Sequence, residues 1–199
     1  MASYKKKRQY KMVARAEAAN HTKSKIVDAA TACFTSMPYE LVTLKTIAQE
    51  ANVALQTVVR VGGSKEKIFL SAAEKLMGGL MLAMQDLPQN DGSAALRFLV
   101  DYYEEWGDRA MRLMAAEDRI PTIKTFLQQN RLLQQMWIDR LYDESLSKLS
   151  VDDRRKAVIS LMTITGVHAW HVLRRVHALS IEDTFDTVHK MAMALIKSL

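Results

Sequence analysis

Glycine and proline are scarce in this sequence of 199 residues, which holds 7 glycines and 3 prolines. Both residues interrupt regular structure and mark turns, so their scarcity argues against a strand-and-turn sandwich, a collagen-like repeat and a low-complexity disordered chain. Alternation of apolar and polar residues, the pattern of a half-buried strand, never extends beyond a few residues. The sequence therefore predicts an all-α fold.

Paired cysteines and long apolar runs are also missing. The single cysteine, Cys33, excludes a disulfide framework within the chain and the multi-cysteine zinc patterns. No apolar run reaches the length of about 18 residues that a membrane span needs, and the basic start of the chain leads into no apolar segment of a secretory signal. Twelve methionines without paired cysteines favour a reducing cytoplasm.

Signatures of catalysis are missing as well. We find no Ser-His-Asp signature, no Gly-rich phosphate loop and no His-Glu-x-x-His motif. His168 and His171 have the i, i+3 spacing that helical metal ligands use, but the sequence supplies no obvious third ligand, so a pocket or interface role is favoured. We expect no enzyme, no cofactor and no metal site.

Positive charge is concentrated near the start of the chain. Residues 1–70 hold 12 Lys and Arg against 5 Asp and Glu, whereas residues 71–199 hold 16 against 17. This asymmetry indicates a polyanionic partner for the first third, either nucleic acid or an anionic membrane surface. A basic tail that only improves solubility is the alternative. The weak amphipathicity of residues 1–21 disfavours the membrane.

Helical periodicity and capping residues outline the first third of the chain. Residues 1–21 form a basic arm that either frays or extends the first helix, and Thr22 is the predicted N-cap of a helix that ends before Pro38. Thr43 begins a short helix, a second short helix follows at 55–61, and Ser64 caps a long helix that continues to residue 84.

The rest of the chain is predicted to be helical after a loop at 88–92. The expected helices lie at about 93–106, 108–117, 121–147, 152–177 and 181–198. Ser150-x-x-Asp153 and Ser180-x-x-Asp183 resemble capping boxes in which aspartate replaces glutamate. We predict three parts: the basic arm 1–21, a domain of short helices at 22–70 and a larger helical domain at 71–199.

The two short helices have the residues of a helix-turn-helix. Ala48 is small where the helices would cross, Asn52 tolerates the positive φ of a tight turn, and Val53 is the apolar residue after it. The second helix is then a recognition helix whose first residues reach base edges in the major groove of DNA. The side chains that it would project outward are Leu55, Gln56, Thr57 and Arg60.

This segment follows a longer pattern. The pattern is Ile26-Val-Asp-Ala-Ala-x-x-x-Phe34, Tyr39-Glu40, Thr43-Leu-x-x-Ile47-Ala48-x-x-Ala51-x-Val53, Gln56-Thr57-Val58 and Ser64-Lys65-Glu66-Lys67-Ile68-Phe69. In these residues the chain resembles the N-terminal DNA-binding domain of the TetR (tetracycline-repressor) family of transcription regulators. The residues that the resemblance implies as DNA contacts are Thr43, Lys45, Gln56, Thr57, Arg60, Ser64 and Lys65.

The segment departs from the family pattern at five positions. Pro38 and Asn52 stand where glycine is usual, and Ala54 stands where a capping serine or threonine is usual. Val59 replaces a tyrosine, and Gly62 replaces a phenylalanine that packs beneath the recognition helix. These departures leave a second interpretation open, in which the chain is a helical ligand-binding or interaction protein that has lost sequence-specific DNA binding.

Large, soft side chains are frequent in the C-terminal helices. Such interiors adapt to apolar ligands, although ordinary core packing explains any single one of them. By analogy with the family, this half holds the pocket for a small, mainly apolar effector. The predicted pocket residues are Tyr102, Trp106, Met114, Trp137 and Met162.

The last two predicted helices carry a seam of apolar residues at alternating spacings of four and three. This seam predicts helix-on-helix packing between two copies of the chain, in a four-helix bundle of the kind that the resemblance also implies. The predicted interface residues are Val158, Leu161, Thr165, Val172, Phe185, Val188, Ala192 and Leu195. A twofold dimer requires a near-palindromic DNA operator. The resemblance thus implies a homodimeric regulator that binds double-stranded DNA, and we expect a repressor that a small effector releases. The sequence gives no evidence on the direction of the effect, so an effector that promotes DNA binding stays open as the alternative.

Overall fold

A computed structural model describes residues 2–87 and 91–199, with side chains described from residue 17 onward. The helices, in chain order, are α1 (Ala2–Ser36), α2 (Leu44–Glu50), α3 (Leu55–Gly62), α4 (Lys65–Gln85), α5 (Gly92–Ala115), α6 (Pro121–Leu141), α7 (Asp143–Leu146), α8 (Val151–Thr165), α9 (Val167–His171) and α10 (Ile181–Lys197). A 3-10 turn at Tyr39–Leu41 and a π-helical turn at Val172–Val176 complete them. The described residues contain no strand, which confirms the predicted all-α class.

The first helix is longer than the sequence predicted. α1 continues through Thr22, so a helix start at that residue is wrong. The Thr22 hydroxyl donates to the carbonyl oxygen of Ala18 at 2.8 Å, which is how threonine is accommodated inside a helix. Of the two alternatives for residues 1–21, the described residues adopt the extension of the first helix. At about 1.5 Å per residue, its 35 residues measure about 52 Å.

The chain divides into two compact units, Met1–Leu80 and Met81–Leu199. In the first unit, each of the helices α1 to α4 places an apolar side chain in one core. Ile26, Ile47, Val58 and Ile68 are all between 0% and 2% exposed. Burial of a side chain of this size contributes about 1.5–3 kcal/mol, so this core holds the short helices α2 and α3 in place.

The second unit packs α5, α6, α7, α8 and α10 around its own core. Leu96, Ile138, Leu146, Leu161 and Ala192 are each 0% exposed. Residues 88–90, most of the loop predicted at 88–92, lie outside the described part of the chain. Asp91, just after them, caps α5, since its Oδ1 accepts a hydrogen bond from the Ala94 N–H at 2.9 Å.

Three predicted helix boundaries in the second unit are wrong. The break predicted at residue 107 is absent, because α5 continues through the buried Gly107. The helix predicted to continue to 147 ends at Leu141, and Tyr142, with φ −115° and ψ 22°, separates it from α7. The helix predicted at 152–177 is interrupted by Gly166, whose φ of −76° and ψ of 160° are extended.

Both predicted capping boxes in this unit are present in modified form. The hydroxyl of Ser150 accepts from the Asp153 N–H at 3.2 Å, and that of Ser180 accepts from the Asp183 N–H at 3.0 Å. Each aspartate then accepts the hydroxyl proton of its serine, rather than a proton from the backbone N–H of that serine, because its side chain is one methylene shorter than glutamate. In the residues that the structure describes, none of the helices is long and apolar enough to cross a membrane.

Candidate nucleic-acid interface

A tight turn between α2 and α3 sets the direction of the second helix. Asn52 has a φ of 50°, as its predicted place in the turn required. The Val53 N–H donates to the Ala48 carbonyl at 3.0 Å, and the Asn52 N–H donates to the Gln49 carbonyl at 3.1 Å. These two bonds form a Schellman motif, which satisfies the last carbonyls of α2 and confirms the predicted helix-turn-helix.

The two helices of this motif begin differently. Thr43 starts α2 with a complete capping box, because its hydroxyl accepts from the Thr46 N–H at 3.1 Å and the Thr46 hydroxyl oxygen accepts from the Thr43 N–H at 2.9 Å. Ala54 starts α3 with no side-chain cap at all. The missing cap leaves an N–H of the first turn of α3 open to solvent or to a ligand.

The orientation of α3 separates a buried face from an exposed one. Val58 is 0% exposed and fixes the helix on the core of the first unit. Leu55, Gln56, Val59 and Arg60 are exposed, and Leu55 and Val59 retain 45% and 51% of their accessible surface. The outward face of the recognition helix therefore consists of two apolar and two polar side chains.

A surface depression of about 400 Å³ lies beside this face. It is bordered by Lys45 and Gln49 of α2, by Asn52 of the turn, and by Ala54 and Leu55 at the start of α3. The structure thus brings predicted contacts from both helices to one concave surface. Thr57, also a predicted contact, is half-buried and does not border the depression.

Gly62, at the end of α3, lines a groove and lies in close contact with Ile68. A groove of about 320 Å³ is lined by Ile26, Val61, Gly62 and Ile68, with Lys23 and Lys67 among its other residues. A Cβ placed on Gly62 would lie 2.7 Å from the Cδ1 atom of Ile68. Ile68 therefore packs directly against the glycine and occupies space that a larger side chain would need.

Lys65, a predicted DNA contact, is attached to the protein by two interactions. Its Nζ donates to the Glu40 carbonyl at 3.3 Å and lies 4.3 Å from the centre of the Tyr39 ring. Burial lowers the pKa of Lys65 below its ordinary value, although Glu40 and Glu66 act in the opposite direction. The ammonium group has three N–H donors, so this anchoring leaves others for an anionic ligand.

The hydroxyls of Thr43 and Ser64 already serve as helix caps. The Ser64 Oγ accepts from the Lys67 N–H at 3.4 Å, and a hydrogen bond from Ser64 lowers the pKa of Glu66. Sequence reasoning missed Val59 as a member of the exposed face and treated it only as a departure from the family. Its position four residues after Leu55, on the same side of a helix, was the available signal.

The predicted pocket residues are all half-buried in the second unit. Tyr102 and Trp106 stack along α5 with ring centres 6.4 Å apart. Trp137 and Met162 pack against the core of that unit. Met114 lies near the end of α5.

Most of the predicted interface residues are buried within their own chain. Val158, Leu161, Thr165, Val188 and Ala192 are at most 4% exposed. These side chains offer almost no surface to a second copy, because the seam already packs α8 against α10 in the core of one chain. Of the other predicted residues, Val172 is exposed, while Phe185 and Leu195 are half-buried.

A polar network in the second unit was not predicted. Glu104 of α5 accepts from the Trp170 Nε1–H at 2.7 Å and pairs with the Arg174 guanidinium at 2.7 Å and 2.9 Å. Asp108, one turn later, pairs with Arg175 at 3.0 Å. The network fastens the π-helical turn to α5. Across the described part of the chain, no group of three or more His, Cys, Asp or Glu side chains is arranged to hold a metal ion.

Comparisons with known proteins find the same architecture in transcription regulators. A TetR transcription regulator from Haloarcula marismortui ATCC 43049 has a TM-score of 0.68 and 16% identity, covering 90% of this chain and 98% of that one. A protein from Pseudomonas aeruginosa PAO1, assigned as a transcriptional regulator, has a TM-score of 0.67 and 17% identity over 88% and 90% of the two chains. A protein from Mesorhizobium loti MAFF303099, assigned to the TetR family, has a TM-score of 0.65 and 18% identity over 90% and 97%.

No protein-family model and no curated protein matches the chain. The chain therefore has the fold of TetR-type transcription regulators, with an N-terminal helix-turn-helix and a C-terminal helical domain.

Proposed function

We propose that the protein is a cytoplasmic, homodimeric transcription regulator that binds a near-palindromic DNA operator and is released by a small, mainly apolar effector. The observation that carries the proposal is the outward face of α3, which a buried Val58 and a Schellman turn hold in a fixed direction. Side chains fixed in this way can read base edges reproducibly.

Each part of the DNA-binding surface has a chemical role in this proposal. Gln56 forms paired hydrogen bonds with adenine, and Lys45 and Arg60 contact phosphates or guanine. Thr43, Ser64 and Lys65 lie at the starts of α2 and α4, where free backbone N–H groups and the helix dipole favour a phosphate. The basic residues 1–21 add affinity that depends on salt and little on sequence.

A second copy of the chain is required for a palindromic site. Because the predicted seam is largely internal, we propose that the dimer uses the outward faces of α8 and α10, which pack beside each other. Ile159 of α8 and Met191 of α10 are 52% and 38% exposed, although both are large and apolar. Association of two such faces removes this surface from water.

The effector is proposed to bind in the second unit, near the half-buried aromatic and methionine side chains already described. α4 links the two units covalently, since its residues lie on both sides of the division at Leu80. An effector that alters the course of this helix changes the spacing of the two recognition helices in the dimer and weakens operator binding. A thermal-shift screen with apolar and charged compounds tests the pocket, and stabilisation by charged compounds alone would contradict it.

Two residues of the recognition helix region favour the second interpretation, a helical ligand-binding or interaction protein without sequence-specific DNA binding. Ala54 supplies no cap for α3, and Val59 has no hydroxyl for a phosphate. Selection of bound fragments from random duplex DNA separates the two interpretations. Our proposal predicts enrichment of one near-palindromic sequence, and an unenriched pool would support the second interpretation instead.

A further inference from the structure

Two apolar side chains stand on the exposed face of the recognition helix, where a nucleic-acid interface would be expected to be polar. Leu55 and Val59 are 45% and 51% exposed, and they lie one helical turn apart on the same side of α3. Side chains at this spacing are neighbours, with Cβ atoms about 5–6 Å apart. They form one continuous apolar strip, with Gln56 and Arg60 beside it.

The strip has a specific chemical counterpart in the major groove. The C5-methyl group of thymine is the apolar group that base pairs present there, whereas guanine presents acceptors and cytosine an amino donor. Leucine and valine cannot bond with those polar groups, and covering them without a partner costs free energy. Contact with a thymine methyl removes apolar surface from water on both sides.

The surroundings of the strip favour DNA over an apolar protein partner. Lys45 and Arg60 are exposed and cationic, and Lys45 borders the same depression as Leu55. Gln56, beside the strip, offers both a donor and an acceptor, which match the N7 and N6 groups of adenine. Each adenine pairs with a thymine, so the polar and apolar residues of α3 suit the same base pairs.

We propose that α3 selects its operator through thymine methyl groups, with Leu55 and Val59 as the residues that contact them. The half-site core then consists of neighbouring A·T pairs whose thymine methyls face the strip. This inference rests on the proposed function and names the chemistry that the same site reads.

Replacement of thymine by uracil provides the direct test, since uracil pairs identically and lacks only the methyl group. The operator enriched from random duplex DNA is synthesised with thymine or with deoxyuridine in the half-site core. Dissociation constants are then measured for the wild-type protein and for Leu55→Ala, Val59→Ala and Gln56→Ala. We expect the wild-type protein to bind the uracil duplex about four-fold more weakly for each contacted methyl.

The variants show whether the apolar strip is responsible for the affinity that is lost when uracil replaces thymine. Val59→Ala and Leu55→Ala should each bind the thymine duplex more weakly and lose part of the discrimination against uracil. Gln56→Ala should bind more weakly but keep the full discrimination. Circular dichroism and thermal unfolding verify that the variants fold, which the exposure of both apolar side chains predicts.

The outcomes distinguish failure of this inference from failure of the proposed function on which it rests. An enriched operator whose uracil form binds as tightly as its thymine form would overturn the methyl contact alone. The methyl contact would also be overturned if Val59→Ala and Leu55→Ala lost as much affinity on replacement of thymine by uracil as the wild-type protein does. The methyl groups would then act through DNA shape. A selection that enriches no sequence would overturn both the proposed function and this inference.

Discussion

The indole ring of Trp170 packs so tightly against Gly107 that a Cβ on the glycine would clash with the ring atom Cζ3. Trp170 is 1% exposed and its Nε1–H donates to Glu104, so a shift of the ring would disturb both its packing and this hydrogen bond. Gly107→Ala should therefore lower the free energy of unfolding by about 1–3 kcal/mol.

Gly78 supplies the matched control for that substitution, because a Cβ on this glycine of α4 meets nothing within 4 Å. Gly78→Ala should raise the stability by about 0.5–1 kcal/mol, since alanine favours a helix. Urea titrations followed by circular dichroism measure both variants. Equal stability of Gly107→Ala and the wild-type protein would show that the indole is not packed as described.

Helix caps, turns and glycines show where sequence reasoning succeeds and where it does not. Thr43, Asn52 and Ser64 were assigned correctly because caps and tight turns depend on residues a few positions away. Gly107 was taken as a helix end and Gly166 as helix interior, and both assignments are wrong. A glycine in a helical pattern has the same local signature in both cases. The packing of Gly107 against Trp170, 63 residues later in the chain, has no local signature at all.

Prediction from sequence is limited in the same way for the apolar seam and for the exposed face of α3. A heptad pattern predicts that a helix packs on another helix, but the pattern is identical whether that partner lies in the same chain or in a second copy. Val188 and Ala192 pack within the chain. The exposure of Val59 likewise depends on the direction of α3, which its own residues alone do not determine.

The contrast between the two helix starts of the DNA-binding motif predicts opposite effects of two substitutions. Ala54 has φ −67° and ψ 144°, a conformation that a capping serine adopts without strain. Ala54→Ser should stabilise the protein by about 1 kcal/mol, whereas Thr43→Ala should destabilise it by about the same amount. Thermal unfolding of both variants checks this. A stabilisation by Thr43→Ala would contradict the capping box.

Glu104 predicts a dependence of stability on pH. The hydrogen bonds from Arg174 hold the pKa of the Glu104 carboxyl below its ordinary value, and the bond from Trp170 acts in the same direction. A carboxylate with a lowered pKa in the folded state stabilises the protein above its unfolded pKa, and this contribution is lost as the pH falls through the folded value. Glu104→Gln should therefore be less stable than the wild-type protein at neutral pH.

That difference should begin to shrink as the pH falls below about 4, the ordinary pKa of a glutamate in an unfolded chain, and should continue to shrink towards the lowered pKa of the folded carboxyl. Unfolding titrations at several pH values measure it, with Glu105→Gln, a change at the exposed neighbour, as the control. A stability difference that stays constant from neutral pH to pH values near 3 would mean that the Glu104 carboxylate does not stabilise the fold through its charge.

The proposed dimer face predicts the effect of one charge on α8. Ile159 is 52% exposed in the single chain, so Ile159→Glu should leave the fold intact while placing a charge in the interface. Light scattering of the wild-type protein should give about twice the chain mass of 22.6 kDa, and the variant should give the mass of one chain. Leu132→Glu on α6, at a residue 61% exposed, should remain dimeric. If Ile159→Glu remains a dimer, the interface lies elsewhere on the chain.

Sequence-specific recognition by α3 is tested most directly by the affinity of Gln56→Ala for two duplexes at one salt concentration. One duplex carries the operator enriched from random DNA, and the other carries the same bases in scrambled order. Removal of a side chain that reads a base should weaken operator binding by about 1–3 kcal/mol, roughly 5-fold to 150-fold, and leave binding to the scrambled duplex nearly unchanged. Equal losses on the two duplexes would contradict base reading by the recognition helix.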